Sequence, residues 1–195
     1  MSQNLRILFL LTKGFGGGNG IAKLNRDFLT AFDACETVER VFAIPRQIPE
    51  VIEGMLPEAV VYDRAAACGT AMFWRRLVTV ALYQKANLII CESPTMLPAA
   101  WVIAHVHGAR LALIIHEPEL WTRASSRLLK VLARSVDSFA VARQHAIKTI
   151  GVWCNVSLDR AFVLAHGLEG DQVDTFDSFN GEEYRARVAD WVWGA

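Results

Sequence analysis

The opening segment of the chain constrains its fold most. An apolar run at residues 5–11 leads into a glycine-rich segment, and apolar residues at helical spacing follow it. The glycines are Gly14, Gly16, Gly17, Gly18 and Gly20, and the apolar helix positions are Ile21, Leu24, Phe28 and Phe32. This pattern predicts a buried strand, a tight loop and an amphipathic helix.

The glycine segment also predicts a ligand contact. A backbone without Cβ atoms can approach a ligand closely, and the start of the next helix offers unpaired N–H groups with a partial positive charge. Strand, loop and helix together can form a cradle for a phosphate or a sugar nucleotide. The candidate phosphate-loop residues are Gly16, Gly17, Gly18 and Asn19, with helix capping as the alternative role of Asn19.

The spacing of the glycines does not match the familiar phosphate motifs. Counting from Gly14 and Gly16, the dinucleotide pattern G-x-G-x-x-G needs a third glycine where Asn19 stands. The P-loop pattern is also unmet, because no Gly-Lys-Ser/Thr closes the loop. A strand-to-helix turn that needs its glycines only for packing is therefore the alternative interpretation.

Size and composition favour one globular domain. The chain has 195 residues, of which 53% are hydrophobic, so it can bury a sizeable core without disulfides or metals. Its 20 basic and 20 acidic residues balance, which gives no reason to expect nucleic acid as a partner. The apolar composition indicates much buried surface, or an apolar surface that meets a partner or a membrane.

The cysteines and histidines predict no metal site and no disulfide framework. The cysteines contain no C-x-x-C pair, and we expect reduced thiols in a cytoplasmic protein without a secretory leader. Three histidines have no metal-ligand spacing and are expected to be structural. These residues are Cys35, Cys68, Cys91 and Cys154, and His105, His107 and His145.

Strand-like and helix-like segments alternate along the chain. Apolar runs such as NLIIC and ARLALII are typical of parallel strands buried on both faces. The alternation predicts an α/β fold, a Rossmann-like doubly wound and mostly parallel sheet. We expect this domain to occupy residues 1–169. Residues 170–195 are an acidic, turn-rich tail that could end in a short helix anchored by Trp191 and Trp193.

Polar residues stand where several predicted strands end. In doubly wound sheets, ligands bind beyond the carboxyl ends of the strands. We expect the glycine loop and these residues to lie along one rim of the sheet. The residues are Glu92 and Ser93, His116 and Glu117, Arg143, and His166 and Gly167.

The order of these motifs resembles a known family. The glycine loop comes first, His116 to Trp121 reads H-E-P-E-L-W, Asp137 to Ala142 reads D-S-F-A-V-A, and a V-L-A-H-G-L-E turn follows from Val163. This order is similar to the amino-terminal half of retaining glycosyltransferases of family 4, which have the GT-B fold. The likeness covers about residues 5–169. It departs from the family where Ala142 replaces the usual serine and Ala-His replaces Pro-Asn in the last turn.

The resemblance implies transfer of a sugar from a nucleotide sugar to an acceptor with retention at the anomeric carbon. It places the glycine loop over the donor phosphates and His116 near the transferred sugar, as the catalytic candidate. It implies no metal or other cofactor, because basic side chains and backbone N–H groups meet the phosphate charge. Acceptor-side candidates are Glu92, Glu117, Glu119, Arg143 and His166, although the glutamates after His116 and the His166 turn could also be solvated turn residues.

The resemblance covers only half of such an enzyme. The family's second domain, with an E-x7-E element, has no counterpart in residues 170–195. Because a leaving diphosphate needs charge stabilisation aimed at it, transfer would require a second GT-B half or a homodimer. The alternative is a non-catalytic module that binds a sugar, a phosphate or a protein. An unrelated small α/β hydrolase ranks last, since no G-x-S-x-G elbow or P-loop is present.

A tryptophan beside two arginines suggests a separate hypothesis. Trp74, Arg75 and Arg76 lie in an apolar predicted helix. Tryptophan sits at the headgroup level of a bilayer and arginine meets anionic lipid, so these residues could contact the inner membrane face peripherally. The alternative is a buried helix whose arginines extend to solvent.

Overall fold

The computed structural model describes residues 4–14, 20–48, 56–116, 126–141 and 144–163, together with residues 188, 190 and 191. The strands form one seven-stranded sheet in the spatial order β3-β2-β1-β4-β5-β6-β7, and every neighbouring pair is parallel. The strands are β1 Leu5–Lys13, β2 Val38–Gln47, β3 Val60–Tyr62, β4 Leu88–Cys91, β5 Arg110–Ile115, β6 Ser138–Val141 and β7 Ala161–Val163.

Helices connect most of these strands and cover both faces. They are α1 Gly20–Asp33, α2 Thr70–Tyr83, α3 Leu97–His107, α4 Arg127–Arg134 and α5 Gln144–Cys154, and short 3-10 turns lie at Arg64–Ala67 and Leu158–Arg160. The predicted α/β doubly wound fold is therefore confirmed. All residues of β4 and β6 are buried, which is why these strands are apolar or small throughout.

The strand order reverses at β1, and this reversal decides which helix covers which face. The chain moves from β1 to β2 in one direction and from β4 to β7 in the other. Right-handed crossovers therefore place α1 on one face and the later helices on the opposite face. Phe28 and Phe32 of α1 pack edge-on against Phe9 of β1 at 6.0 and 5.9 Å between ring centroids. Helices α2 to α5 pack on the other face of the sheet, where they share one apolar cluster.

Two residues near the carboxyl terminus cover part of the α1 face. Val188 and Trp191 are buried beside strands β4 to β6. The Trp191 Nε1–H donates a hydrogen bond to Ser138 Oγ at 3.1 Å, and the indole lies 6.0 Å from the Phe28 ring. Trp191 is thus part of the core. Trp193 lies outside the described residues, and the division into domain and tail stays a prediction.

Strand β2 continues through a proline. It ends at Gln47, with Pro45 opposite Leu11. The Ala43 carbonyl accepts from the Asp63 N–H, and alternation turns Pro45 toward the same side, beyond the last paired residue of β3. At that free edge the missing N–H of proline removes no ladder hydrogen bond, so the strand passes through it.

Candidate functional site

The candidate site lies where the strand order reverses, at the carboxyl ends of β1, β4 and β5. Ligands of doubly wound sheets bind in the crevice at this switch point. Glu92 directly follows β4, His116 directly follows β5, and Lys13 is the last residue of β1. The structure brings Glu92 and His116 together, as expected for residues that follow neighbouring parallel strands.

The Glu92 carboxylate is the centre of a hydrogen-bond network. Its Oε2 accepts from the Thr12 N–H at 2.7 Å, and both carboxylate oxygens lie 3.2 Å from Asn25 Nδ2. Its Oε1 lies 2.9 Å from His116 Nε2. The side chain is 0% exposed. A buried carboxylate is costly unless it is paired and hydrogen-bonded, and here the network supplies those partners.

Asn25 ties helix α1 to the end of β1. Its Nδ2 donates to the Lys13 carbonyl at 2.7 Å as well as to Glu92. Because every neighbour of this nitrogen is an acceptor, the amide orientation follows from the network. The residue is fully buried, and among the described residues its Oδ1 has no hydrogen-bond partner. The start of the glycine segment is thus fixed by the same side chain that holds Glu92.

The contact with Glu92 sets which ring nitrogen of His116 carries hydrogen. A carboxylate accepts, so His116 Nε2 donates and Nδ1 is the other polar atom of the ring. The side chain is 14% exposed, so part of it meets solvent at the rim. The ring is held firmly while one edge stays near the surface.

Most other predicted site residues are not among those described. Their roles as phosphate-loop and acceptor-side residues stay predictions. They are Gly16, Gly17, Gly18, Asn19, Glu117, Glu119, Arg143 and His166.

The first glycine of the loop has a packing role. The Gly14 N–H donates to the Gln47 carbonyl at 2.7 Å. A Cβ atom at Gly14 would overlap the Tyr62 hydroxyl and lie 3.1 Å from the Pro45 Cβ. A larger residue at this position would have to displace the Tyr62 side chain, so glycine fits best where the chain leaves β1.

The sequence interpretation missed Asn25 and Thr12. Asn25 falls on the apolar stripe of α1, four residues after Ile21 and three before Phe28. A polar residue on a buried helical face needs a buried partner, and this is the signal that could have found it. Thr12 acts through its backbone N–H, for which the sequence carries no signal.

His107 supports the structure. Its Nε2 lies 2.8 Å from the Ala81 carbonyl, and its Nδ1 accepts from the Ala86 N–H at 3.3 Å. The ring thereby ties the end of α2 to the end of α3. Within the described ranges, no three His, Cys, Asp or Glu side chains are grouped so that they could hold a metal ion.

The buried cysteines are poor nucleophiles. Burial raises the pKa of Cys91 to about 12, and the neighbouring Glu92 carboxylate adds to the rise. The Cys91 Sγ donates to the Ser93 carbonyl at 3.0 Å. Burial also raises the pKa of Cys154. Both therefore remain protonated thiols near neutral pH.

The tryptophan and two arginines of the membrane hypothesis have different surroundings. Trp74 is 40% exposed, and Arg75 is exposed beside it on α2. The Arg76 Nε instead donates to Asp63 Oδ2 at 2.6 Å. In the part of the chain that the structure describes, no helix has the length and hydrophobicity needed to cross a bilayer.

The parallel sheet, its reversal at β1 and the polar rim define the Rossmann-like architecture found in each half of a GT-B glycosyltransferase. No protein-family model matches the sequence, and no curated protein matches it.

Solved structures do match the fold. The lipopolysaccharide outer core galactosyltransferase WaaB in its apo form has a TM-score of 0.56 at 10% identity, over 84% of this chain and 46% of WaaB. Anabaena HepE in complex with UDP-glucose has a TM-score of 0.52 at 14% identity, over 84% of this chain and 44% of HepE. At such identities the likeness shows the fold alone. The chain spans about half the length of these structures.

Proposed function

We propose that this chain is the acceptor-side half of a GT-B, family 4 retaining glycosyltransferase. It would transfer a sugar from a nucleotide-sugar substrate to a sugar or lipid-linked acceptor, with no metal or other cofactor. The observation that carries the proposal is the Glu92–His116–Asn25 network at the switch point of the sheet. A buried and fully bonded carboxylate that orients a partly exposed histidine is typical of a functional site.

The network supports specific roles. Glu92 holds the His116 ring with Nε2–H inward, so that Nδ1 is the atom that a sugar hydroxyl could donate to. Asn25 and Glu92 also bind the Lys13 carbonyl and the Thr12 N–H, at the root of the glycine loop. The network would therefore fix the position of the glycine loop relative to the His116 ring. The loop amides would then bind the donor phosphates. Residues after β5, β6 and β7 would face the acceptor from the same rim.

The proposal includes a second domain. WaaB and HepE are each about twice as long as the matched region, and HepE has been solved with UDP-glucose, with UDP and glucose, and with UDP. A leaving diphosphate requires positive charge or N–H groups aimed at it, so we place that function on a separate GT-B half or a second copy of this chain. The cytoplasmic location expected from the unpaired cysteines belongs to the same proposal.

The test is donor binding followed by transfer. Calorimetry with UDP-glucose should show binding to the wild-type chain. The variant His116→Ala should weaken it about tenfold or more, as expected for one lost hydrogen bond of about 1.5 kcal/mol. His105→Ala is the matched control, because His105 is an exposed histidine stacked on Trp101 in α3, away from the rim. Equal losses in both variants would contradict the assigned site.

Adding a candidate second half separates two functions. Transfer or donor hydrolysis that appears only with both halves supports a split glycosyltransferase. Donor binding with no turnover under any pairing would support the alternative, a non-catalytic sugar- or phosphate-binding module. This chain covers only 46% of WaaB and 44% of HepE, which is the reason to keep this second candidate function. If UDP-glucose and UDP bind neither the chain alone nor the pair, the proposed function is wrong for uridine donors.

A further inference from the structure

A groove of about 310 Å³ lies between α2 and the β3 edge of the sheet. Its floor includes Phe42 of β2 and Val61 of β3, which are paired in register and therefore point to the same face. Strand β3 is the outermost strand on this side, and Val61 is 46% exposed. The floor is thus an apolar surface that the neighbouring elements leave open to solvent.

Helix α2 forms the wall of this groove. Arg76, Val80 and Tyr83 line it at the spacing i, i+4 and i+7, which places them on one side of the helix. Arg76 and Tyr83 are two helical turns apart, or about 10 Å along the axis. We call this groove, lined by Phe42, Val61, Asp63, Arg76, Val80 and Tyr83, the edge groove. It has a cationic end at Arg76, an aromatic end at Tyr83 and aliphatic side chains between them.

Asp63 fixes the arginine at the cationic end. Its Oδ2 accepts from Arg76 Nε at 2.6 Å, and the Asp63 side chain is only 9% exposed. An arginine side chain has five N–H donors, so the four on its two Nη atoms remain for a ligand. The Arg76 side chain is 41% exposed, which leaves it accessible from the groove.

The edge groove has an excess of positive charge. Arg64 also lines it and is exposed, so two arginines stand against the one carboxylate of Asp63. In the part of the chain that the structure describes, Asp63 is the one acidic partner of Arg76, and Arg64 forms no ion pair. An anionic ligand therefore matches the charge of the groove.

We propose that the edge groove binds a small aromatic carboxylate. The carboxylate would accept from the Nη groups of Arg76, since a guanidinium and a carboxylate match in charge and in fork geometry. The ring would lie on the floor at Val61 and reach the exposed Tyr83 side chain. Neither Glu92 nor His116 lines this groove, so the proposal does not rest on the proposed function.

Other ligands fit the edge groove less well. Inorganic phosphate would match the charge but would leave Val61 and Tyr83 exposed. A neutral aromatic molecule would cover the floor but would not use the Arg76 guanidinium. The volume of about 310 Å³ is at the lower end for small-molecule sites, which favours one or two rings over a nucleotide sugar.

The experiment is calorimetry of the full chain with four probes. 2-Naphthoate carries a ring and a carboxylate, 2-naphthol has the same ring without the carboxylate, and acetate and inorganic phosphate are anions without a ring. We expect 2-naphthoate to bind one site with a dissociation constant below about 1 mM. The other three probes should bind at least about tenfold more weakly, because each lacks either the charge-assisted hydrogen bonds or the apolar contact.

Two neighbouring arginines provide a matched pair of variants. Arg76→Gln should weaken 2-naphthoate binding about tenfold or more, as expected for lost hydrogen bonds to a charged group. Arg75→Gln removes the same charge from the preceding, exposed position, which does not line the groove, and should leave binding unchanged.

A second pair keeps the Asp63–Arg76 ion pair, in case its loss impairs folding. Tyr83→Ala should weaken 2-naphthoate binding about threefold or more, as expected for a lost aromatic contact. Leu82→Ala is its control, because Leu82 is outside the groove. The two side chains are 79% and 75% exposed, so neither variant should change the circular dichroism spectrum.

The proposal is overturned if the wild-type chain shows no saturable binding of 2-naphthoate, or if the two members of either pair lose binding equally. Equal affinity for 2-naphthol or for inorganic phosphate would also overturn it, since the ligand class would then be wrong. UDP-glucose binding by His116→Ala is a separate measurement at another site. The two proposals can therefore fail independently.

Discussion

The Glu92 carboxylate and the His116 ring meet at 2.9 Å across the ends of two neighbouring strands, and the carboxylate is fully enclosed. Strands β4 and β5 are parallel neighbours, and Cys91 at the end of β4 lies opposite Leu113, two residues before the end of β5. Each therefore delivers its next side chains to the same rim. Because Glu92 is buried in this network, we expect the free energy of unfolding to depend on its carboxylate.

Replacing Glu92 should destabilise the fold. In Glu92→Gln one carboxylate oxygen becomes an NH₂ donor, which then faces the Thr12 N–H or the His116 Nε2–H. We expect a loss of about 2–3 kcal/mol in the free energy of unfolding, as for a buried polar group left unsatisfied. Urea denaturation followed by circular dichroism measures it. Glu39→Gln is the control, because Glu39 forms an exposed ion pair with Arg6 at 3.8 Å and should change stability by less than about 1 kcal/mol.

Replacing Asn25 should also destabilise the fold, and for Asn25→Asp the loss should depend on pH. Asn25→Ala removes the donor to Lys13 and Glu92 and should cost about 1–3 kcal/mol. Asn25→Asp should cost more at neutral pH, because a second carboxylate then lies beside Glu92, and two ionised carboxylates repel. Its deficit should shrink as the pH falls and one carboxyl becomes protonated. Urea midpoints at neutral and mildly acidic pH test this, and a pH-independent gap between the two variants would contradict it.

The parts of the fold that the sequence predicts are those set by apolar periodicity. The runs around β4 and β5 could be placed because strands buried on both faces leave few other residue choices. The end of β2 could not, since the tolerance of Pro45 depends on how short its neighbour β3 is. The contact between Glu92 and His116 could be predicted, because both follow neighbouring strands. The contact of Thr12 with Glu92 could not, because it is made by a backbone N–H.

The Cys91 thiol should make the fold sensitive to alkali. Burial raises its pKa from 9.0 to about 12 in the folded state. The folded chain therefore holds this proton more tightly than the unfolded chain, so the stabilisation is full below pH 9 and is lost as the pH rises from 9 toward 12. The slope should reach about 1.4 kcal/mol per pH unit for one such group. Cys91→Ala should show a shallower decline than the wild type in alkaline urea titrations.

The other cysteines allow a control by chemical labelling. Cys68 is exposed, whereas Cys154 is buried and its pKa is raised by that burial. A thiol reagent should modify Cys68 in the native chain and reach Cys91 and Cys154 only in denaturant. Rapid native labelling of Cys91 would contradict the enclosed state that the alkaline prediction requires.

Trp191 should contribute more to stability than any exposed tryptophan. Trp191→Ala removes a buried side chain that packs on Phe28 and donates to Ser138, and should cost about 3–5 kcal/mol. Trp191→Phe keeps most of the packing and loses only the donor, at about 1 kcal/mol. Trp74→Ala is the control, since Trp74 is 40% exposed on α2. Equal unfolding midpoints for the two alanine variants would show that the tail does not complete the core.

Gly14 and Tyr62 should be coupled. A methyl group at Gly14 would overlap the Tyr62 hydroxyl, so Gly14→Ala should destabilise the fold by about 1–3 kcal/mol, the usual cost of overpacking. Tyr62→Phe removes the overlapping oxygen and should recover part of this loss in the double variant. Four urea titrations form a double-mutant cycle, with an expected coupling of at least about 0.5 kcal/mol. Strict additivity would mean that the Gln47 carbonyl and the Pro45 ring, each 3.1 Å from the added carbon, set the constraint instead. Either way the start of the loop is fixed by packing, and any ligand must be met by the residues beyond it.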